Sequence, residues 1–292
     1  MPKIFLTGST GYLGGKFIEL YGSKYEIFGV SSSDKQHPID LLDASKVGEA
    51  FNAFQPDFVI HTAADTGRDV TTSNTIITTN PAITKTLVDL AIPNKTPFIF
   101  TGTEAIYGGK EDTGGYIETD EHKPRSPYGE SKVASEKIVK ESGLPYLITR
   151  GHRHVGINKN FHKPKWFPDT ISELSKGHIV HLDSHKIFNP VLINNICDIF
   201  DYYIERDSDK QIVLNMGVDK ATTYYDFIMD VAKTLSFDTS LIKNDGDEAG
   251  WTNDGHVSVK KLRELGYPYA SYEDILSIIK ADSVKAGLII DK

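Results

Sequence analysis

A single cysteine, Cys197, stands in the 292 residues. That excludes an internal disulfide and any zinc site built on several cysteines. Its position within Ile193–Ile204, a stretch of helical apolar spacing, makes it a buried thiol rather than a nucleophile. Long apolar runs are also missing, since none reaches the roughly 20 residues a membrane span needs. Met1-Pro2-Lys3 leads straight into the short run Ile4-Phe5-Leu6, so a reducing, cytoplasmic location is expected. Positive charge is in deficit: 32 Lys and Arg against 40 Asp and Glu give a formal charge of -8. Such a surface repels nucleic acid and anionic membranes, and an anionic substrate would need a locally basic pocket. The chain has no internal repeat and no low-complexity linker.

What is present is a globular balance, with 39% hydrophobic and 25% charged residues, enough for a full core. Short apolar runs at Ile4-Phe5-Leu6, Glu26–Val30, Phe58-Val59-Ile60, Phe98-Ile99-Phe100 and Leu144–Thr149 alternate with amphipathic stretches. The latter predict helices over Gly11–Tyr21, Asp43–Phe54, Pro81–Ala91 and Ser131–Lys140. Continuous apolar strands separated by helices indicate a parallel sheet covered on both faces. The fold class is therefore α/β, a Rossmann-type doubly wound sheet. After Arg150 the alternation weakens, and residues 151–292 read as a smaller substrate lobe beside a dinucleotide-binding domain over 1–150. Residues 178–217 are expected to return to the sheet domain. Further helices are expected over Asn194–Glu205, from Thr223, over Ser258–Leu265 and over Ser271–Ala286.

Thr7-Gly8-Ser9-Thr10-Gly11-Tyr12-Leu13-Gly14 lies between the first strand and the first helix. Glycine there lets the chain turn tightly and brings bare N–H groups against a pyrophosphate, while the helix dipole faces the same charge. The spacing is Gly-x-x-Gly-x-x-Gly, and its placement points to a dinucleotide. An acidic residue at the end of the second strand would grip the 2′-hydroxyl of NAD. Here that strand runs into Ser31-Ser32-Ser33 with Lys35 behind, which suits the 2′-phosphate of NADP better, while Asp34 leaves NAD open. Asp40 and Leu41 are candidates for the adenine, and Thr62, Ala63 and Ala64 for lining the cofactor.

Tyr128 and Lys132 stand four apart on one helical face. A tyrosine is a poor proton carrier at its usual pKa near 10, and a neighbouring ammonium is expected to pull it down. The same ammonium can hydrogen-bond the nicotinamide ribose. Thr103, just past a strand end, offers a hydroxyl to hold a substrate oxygen. A second Tyr-x-x-x-Lys, Tyr12 with Lys16, lies in the glycine loop and first helix and is assigned no chemistry.

Thr7–Gly14, His61–Ala64, Thr101–Gly108 and Ser126–Lys132 together resemble the extended short-chain dehydrogenase/reductase family, which epimerises, dehydrates or reduces nucleotide-linked sugars. The resemblance implies a Rossmann domain with a small substrate lobe, a catalytic set of Thr103, Tyr128 and Lys132, and a homodimer. It also makes Asn80 a candidate cofactor contact, although helix capping explains an asparagine there equally. Dehydratases of the family follow the threonine with Asp-Glu, whereas this chain has Glu104-Ala105. Reduction of a 4-keto-6-deoxy sugar nucleotide is the expectation, and the nearest look is to the dTDP-4-dehydrorhamnose reductase branch. Epimerisation at C4 is the alternative, and a nucleotide-binding regulatory subunit is the reading from another class. Gly151-His152-Arg153-His154 departs from the Trp-Val-Tyr run of the reductase branch.

No acidic residue occurs between Ser142 and Pro168. In that basic stretch Arg150, Arg153 and Lys159 are candidates for a pyrophosphate, and Phe161 and Trp166 for stacking a base or flooring a sugar. Arg68 and Glu104 complete the candidate substrate contacts. His152 and His154 lack a nearby carboxylate, and no metal is expected.

Overall fold

The computed structural model describes residues 1–66, 75–108, 114–158, 165–245 and 253–289. The first half alternates as its apolar runs require: β1 (Lys3–Thr7), α1 (Tyr12–Tyr21), β2 (Glu26–Val30), α2 (Ala44–Phe54), β3 (Phe58–His61), α3 (Ile76–Ala91), β4 (Phe98–Thr101), α4 (Pro127–Glu141) and β5 (Tyr146–Gly151). There follow β6 (His154–Val155), α5 (Trp166–Ser175), β7 (Val180–Leu182), β8 (Lys186–Phe188), β9 (Val191–Leu192), α6 (Ile193–Arg206) and β10 (Gln211–Met216). The chain continues through β11 (Thr222–Thr223), α7 (Tyr224–Thr234), β12 (Ile242–Asn244), β13 (Asn253–Asp254), α8 (Lys260–Glu264) and α9 (Tyr272–Lys285).

The main sheet has the order β10-β5-β4-β3-β1-β2, and the pairings from β2 to β5 are parallel. Its strands carry side chains buried on both faces: Ile4, Phe5, Leu6, Val59, Ile60, Phe98, Ile99, Phe100, Leu147 and Ile148 are all within the core. One face packs Val47 and Phe51 of α2 with Leu87 and Val88 of α3. Burying each such side chain stabilises the fold by roughly 1.5–3 kcal/mol.

From β1 the chain steps outward to β2, then returns to place β3 on the other side of β1. The strand order therefore reverses beside the carboxyl end of β1, which is where open α/β sheets bind ligands. The segment following β1 at that crevice is the glycine loop.

Compactness divides the chain into two units. One holds Met1–Gly108, Glu121–Arg150 and Cys197–Leu214. Within it Tyr21 donates to Asp198 (2.7 Å) and Tyr25 to Asp201 (2.6 Å), so both tyrosines lean on α6. Cys197 is buried there. The other unit holds Gly109–Asp120, Gly151–Ile196 and Asn215–Lys292. Its core gathers Phe167, Ile171, Phe188, Phe227, Val231 and Ile275 from α5, β8, α7 and α9. Among the described residues no helix is long and apolar enough to cross a membrane.

Two elements depart from the sequence expectation. α3 begins at Ile76, ahead of Pro81, which sits inside the helix. Asn80 is consequently an interior helical residue rather than a cap. α4 begins at Pro127, ahead of the Ser131–Lys140 stretch but where the Tyr128–Lys132 spacing puts it, because Ser126 accepts the Gly129 N–H (3.1 Å) as an N-cap and Pro127 fits the first helical position.

Candidate active site

The loop after β1 is built for close backbone approach. Gly8 has φ of +75°, a conformation that glycine adopts at little cost. Its carbonyl accepts from Gly11 N (2.8 Å) and its own N–H donates to Val30 O (2.9 Å). A Cβ at Gly14 would collide with the Gly8 carbonyl, and one at Gly8 would lie 2.9 Å from Thr62 Oγ1. These contacts draw the first turn of α1 onto the loop and the loop onto the end of β3. α1 starts at Gly11 with no side-chain cap, an arrangement that leaves its positive end to an anion. Tyr12 and Leu13 are buried.

At the rim, Thr10 Oγ1 lies 2.7 Å from Ser31 Oγ and 2.8 Å from Ser33 Oγ. Ser32 and Lys35 are exposed. Asp34 accepts from Ser9 Oγ (2.7 Å) and from the N–H groups of Gln36 and His37. Burial would raise its pKa, but those hydrogen bonds outweigh burial and hold the carboxyl below its ordinary value. The Asp40 carboxylate accepts from Leu42 N (3.0 Å), shaping the turn into α2, and the Leu41 side chain belongs to the core.

Thr62, Ala63 and Ala64 are half-buried past the end of β3, with Thr62 Oγ1 donating to Thr7 O (2.8 Å). Thr7 and Asn80, expected to touch the cofactor, are both buried and already engaged. Thr7 Oγ1 shares a hydrogen bond with His61 Nδ1 (2.7 Å) and accepts from Ala63 N (3.3 Å). Asn80 exchanges hydrogen bonds with the backbone of Asp65 (2.9 and 3.0 Å) and donates to Ser131 Oγ (3.0 Å). Both side chains shape the loops around the crevice.

Burial, reinforced by the Lys132 ammonium, pushes His61 down to about 3. The unfolded ring protonates near 6.5. Above pH 6.5 the residue therefore costs no stability, and between 6.5 and 3 the unfolded chain gains a proton the fold refuses. Stability falls there by about 1.4 kcal/mol per pH unit. His61→Gln is expected to flatten the fall in unfolding free energy between pH 6 and 4, and an unaltered slope would mean that the ring protonates in place.

The catalytic candidates meet where α4 crosses the carboxyl end of β4. Lys132 is buried, donates to Thr101 O (2.7 Å) and lies 4.6 Å from the Phe100 ring centroid. Its ammonium is 5.9 Å from the centroid of the Tyr128 ring. Thr103 caps a short 3₁₀ turn, Glu104–Ile106, by accepting from Ala105 N (3.2 Å), and its hydroxyl donates to Glu104 Oε2 (2.8 Å). Gly129 admits that turn against the first turn of α4, since a Cβ there would lie 2.7 Å from Ala105 O. Tyr128 is thus held beside the 103–105 turn.

Electrostatics at this face differ in one respect from what the spacing suggests. Burial and the Glu104 carboxylate push the Tyr128 phenol upward, not downward. The Lys132 ammonium is pulled down to about 8 by burial, against the opposing attraction of Glu136. At neutral pH the face rests with the proton on the tyrosine and the charge on the lysine.

The substrate candidates separate. Arg150 is not available to a ligand: its exposure is 0%, and its guanidinium is bound to Glu136, itself at 0%. Nε lies 3.0 Å from Oε1 and Nη2 2.7 Å from Oε2, while Nη1 donates to Tyr107 OH (2.7 Å) and Nη2 to His122 Nε2 (3.1 Å). Within the other unit, Arg153 is exposed, donates from Nε to Tyr224 OH (3.1 Å) and lies over the rings of Tyr224 and Trp166 (5.3 and 5.9 Å). His152, Phe188 and Tyr224 extend that aromatic cluster. Arg68, Lys159 and Phe161 lie outside the described residues. Glu136, Tyr107, His122 and Tyr224 are given no site role by the sequence, although Tyr107 lies in the Thr101–Gly108 motif. Glu136 carried a local signal as well, falling on the same helical face as Tyr128 and Lys132 at the next multiple of four.

Residues 4–217 match the profile of the NAD dependent epimerase/dehydratase family. The chain belongs to that family. Among its relatives is a probable low-salt glycan biosynthesis reductase of Haloferax volcanii, 26% identical over 250 residues and covering 82% of each chain. The fold is shared with the dTDP-4-dehydrorhamnose reductase of Bacillus anthracis, solved in complex with NADP, at a TM-score of 0.81, 19% identity and coverage of 96% of this chain and 99% of that one. It is shared equally with the UDP-glucose 4-epimerase of Thermotoga maritima, solved with UDP-glucose, at a TM-score of 0.82, 22% identity and coverage of 97% and 99%. As a member of the epimerase/dehydratase family the chain is an enzyme that works with a nicotinamide dinucleotide.

Proposed function

We propose that this enzyme reduces the keto carbon of a nucleotide-linked 4-keto-6-deoxy sugar, using NADPH or NADH. The observation that carries the reading is the face formed by Tyr128 and Lys132 beside the Thr103 turn. The glycine loop fits the dinucleotide: Gly8, Gly11 and Gly14 let the loop close on itself and on the end of β3, where a Cβ would meet Gly8 O or Thr62 Oγ1, and the helix that follows starts without a side-chain cap. We assign the pyrophosphate to that backbone with Thr10, Tyr12 and Leu13 around it. The adenosine end falls to Ser31, Ser32 and Lys35, with Asp40 and Leu41 beyond them. Thr62, Ala63 and Ala64 line the way to the nicotinamide ribose, which Lys132 and Tyr128 hold.

When bound, the reduced dinucleotide supplies a hydride. Tyr128 supplies the proton: its phenol is held protonated by its surroundings, the state a reduction needs at the keto oxygen. Thr103 fixes that oxygen by turning its one hydroxyl proton to the substrate from Glu104 Oε2, to which it donates in the free enzyme. Lys132, cationic at neutral pH, compensates the phenolate left behind. We assign Arg153 and Trp166, with Tyr224, to the nucleotide of the substrate, through charge and ring stacking.

The test is a panel of dTDP-, GDP- and UDP-linked 4-keto-6-deoxy sugars with NADPH and NADH, followed by loss of nicotinamide absorbance. Stoichiometric oxidation with one nucleotide class is expected. Turnover of a 4-hydroxy nucleotide sugar with no net cofactor oxidation would identify a C4 epimerase instead. Tight cofactor binding with no reaction on any member would identify a regulatory subunit. Comparison of the two cofactors in the same assay weighs Lys35, which favours a 2′-phosphate, against Asp34, which opposes one.

A further inference from the structure

One turn beyond Lys132 on α4, Glu136 occupies a position a structural account of the helix does not require. A carboxylate with no exposure in the interior is costly unless it is paired. Glu136 is paired twice, by Arg150 of β5 in a bidentate fork and by Lys140 Nζ (3.2 Å) at the rim. The fork is held in turn by Tyr107, at the end of the Glu104–Ile106 turn, and by His122. Gly102, between Thr101 and Thr103, is the only residue type that leaves room: a Cβ there would lie 2.8 Å from Glu136 Oε1 and 2.9 Å from Thr149 O. The strand end that carries the Lys132 acceptor and the Thr103 hydroxyl thus rests directly on this ion pair.

We propose that the buried Glu136–Arg150 pair is a positioning device for the active face: Arg150 fixes the Glu136 carboxylate beneath Lys132, and that fixed negative charge keeps Lys132 an ammonium aimed at Thr101 O and at the cofactor. The inference rests on the role given to Lys132 above. Among the described residues the charges around it are few. Facing Lys132 are the phenol of Tyr128 on its own helix, the neutral His61 of β3 and the uncharged Thr101 and Phe100 of β4. Facing Glu136 are Arg150 and Tyr146 of β5, Lys140 of its own helix and His122, which burial and Arg150 hold neutral. Of these, Glu136 is the group whose attraction opposes the burial of Lys132.

The experiment follows the Cε resonance of Lys132 by NMR in full-length protein carrying [ε-13C]lysine, assigned with Lys132→Met. Wild-type protein should show a midpoint at about 8. Glu136→Gln should lower it by about one pH unit or more, the scale on which a neighbouring opposite charge acts. NADPH and NADH affinity, read by fluorescence, should fall away at correspondingly lower pH and approach the wild-type value only below the lowered midpoint. Glu136→Gln strands Arg150 in the interior, so Glu136→Gln/Arg150→Met, which removes both charges, keeps the question answerable if the single variant does not fold. Glu136→Asp retains the charge one methylene further away and should shift the midpoint less. A pair that only braces the fold would leave the Lys132 midpoint at its wild-type value in all of these variants, and that result overturns the proposal. Lys132→Met separates the two failures. Wild-type cofactor binding in that variant would remove the role of Lys132 itself, whereas weakened binding there with wild-type behaviour in the Glu136 variants would remove only the positioning role.

Discussion

Tyr128→Phe should lower turnover by roughly three orders of magnitude, within the range general acid catalysis contributes, while lowering the affinity for NADPH or NADH by no more than about fivefold, the worth of one ribose hydrogen bond. The substitution keeps the ring that fills the space beside the 103–105 turn and deletes only the hydroxyl. Tyr128 is half-buried at the start of α4, and the helix is capped by Ser126 independently of the phenol. Loss of rate with retained cofactor binding and unchanged circular dichroism would therefore report the proton alone. Turnover near the wild-type value would place the proton donor elsewhere and remove the central residue of the proposed mechanism.

The second large effect is on stability. Arg150→Met is expected to destabilise the protein by about 3–5 kcal/mol, the usual consequence of leaving one partner of a buried ion pair alone. Met matches much of the volume of the arginine, so the loss would come from Glu136 rather than from a cavity. The Tyr107 hydroxyl and His122 would also lose their donor. A urea midpoint within experimental scatter of wild type would show that Glu136 takes up a proton or a water at little cost. The second change to Glu136→Gln should recover much of the loss, since replacing both charges is often neutral or better.

These two residues also show where reading a sequence succeeds and where it stops. The glycine loop, the parallel sheet and the Tyr128–Lys132 pair were legible because each depends on short-range spacing: apolar runs for strands buried on both faces, four residues for one helical turn. Arg150 was misread for the opposite reason. In the linear chain it opens a stretch with no acidic residue as far as Pro168, which suggests a basic pocket. In space its partner is Glu136, brought to it by the crossing of α4 over β5.

The direction of the Tyr128 shift escaped in the same way. The nearby lysine could be counted along the helix, but burial and the Glu104 carboxylate arrive from another element. The early start of α3 was hidden by composition. Thr75-Ile76-Ile77-Thr78-Thr79 is rich in β-branched residues and precedes a proline, a pattern that local propensity assigns to a loop. The helix forms because Asn80 and Thr84 are needed inside, on Ser131, Asp65 and His61.

One of the two edge strands of the main sheet, β10, is supplied by residues that follow a long excursion into the other unit. During synthesis, therefore, a nascent chain that has emerged only as far as Arg150 carries β5 with an open hydrogen-bonding edge, and Tyr21 and Tyr25 still await Asp198 and Asp201. Such edges invite pairing with other chains. A fragment cut at the end of β5 would inherit the same liability permanently, so any attempt to express the nucleotide-binding half by itself has to splice residues 197–214 back onto it.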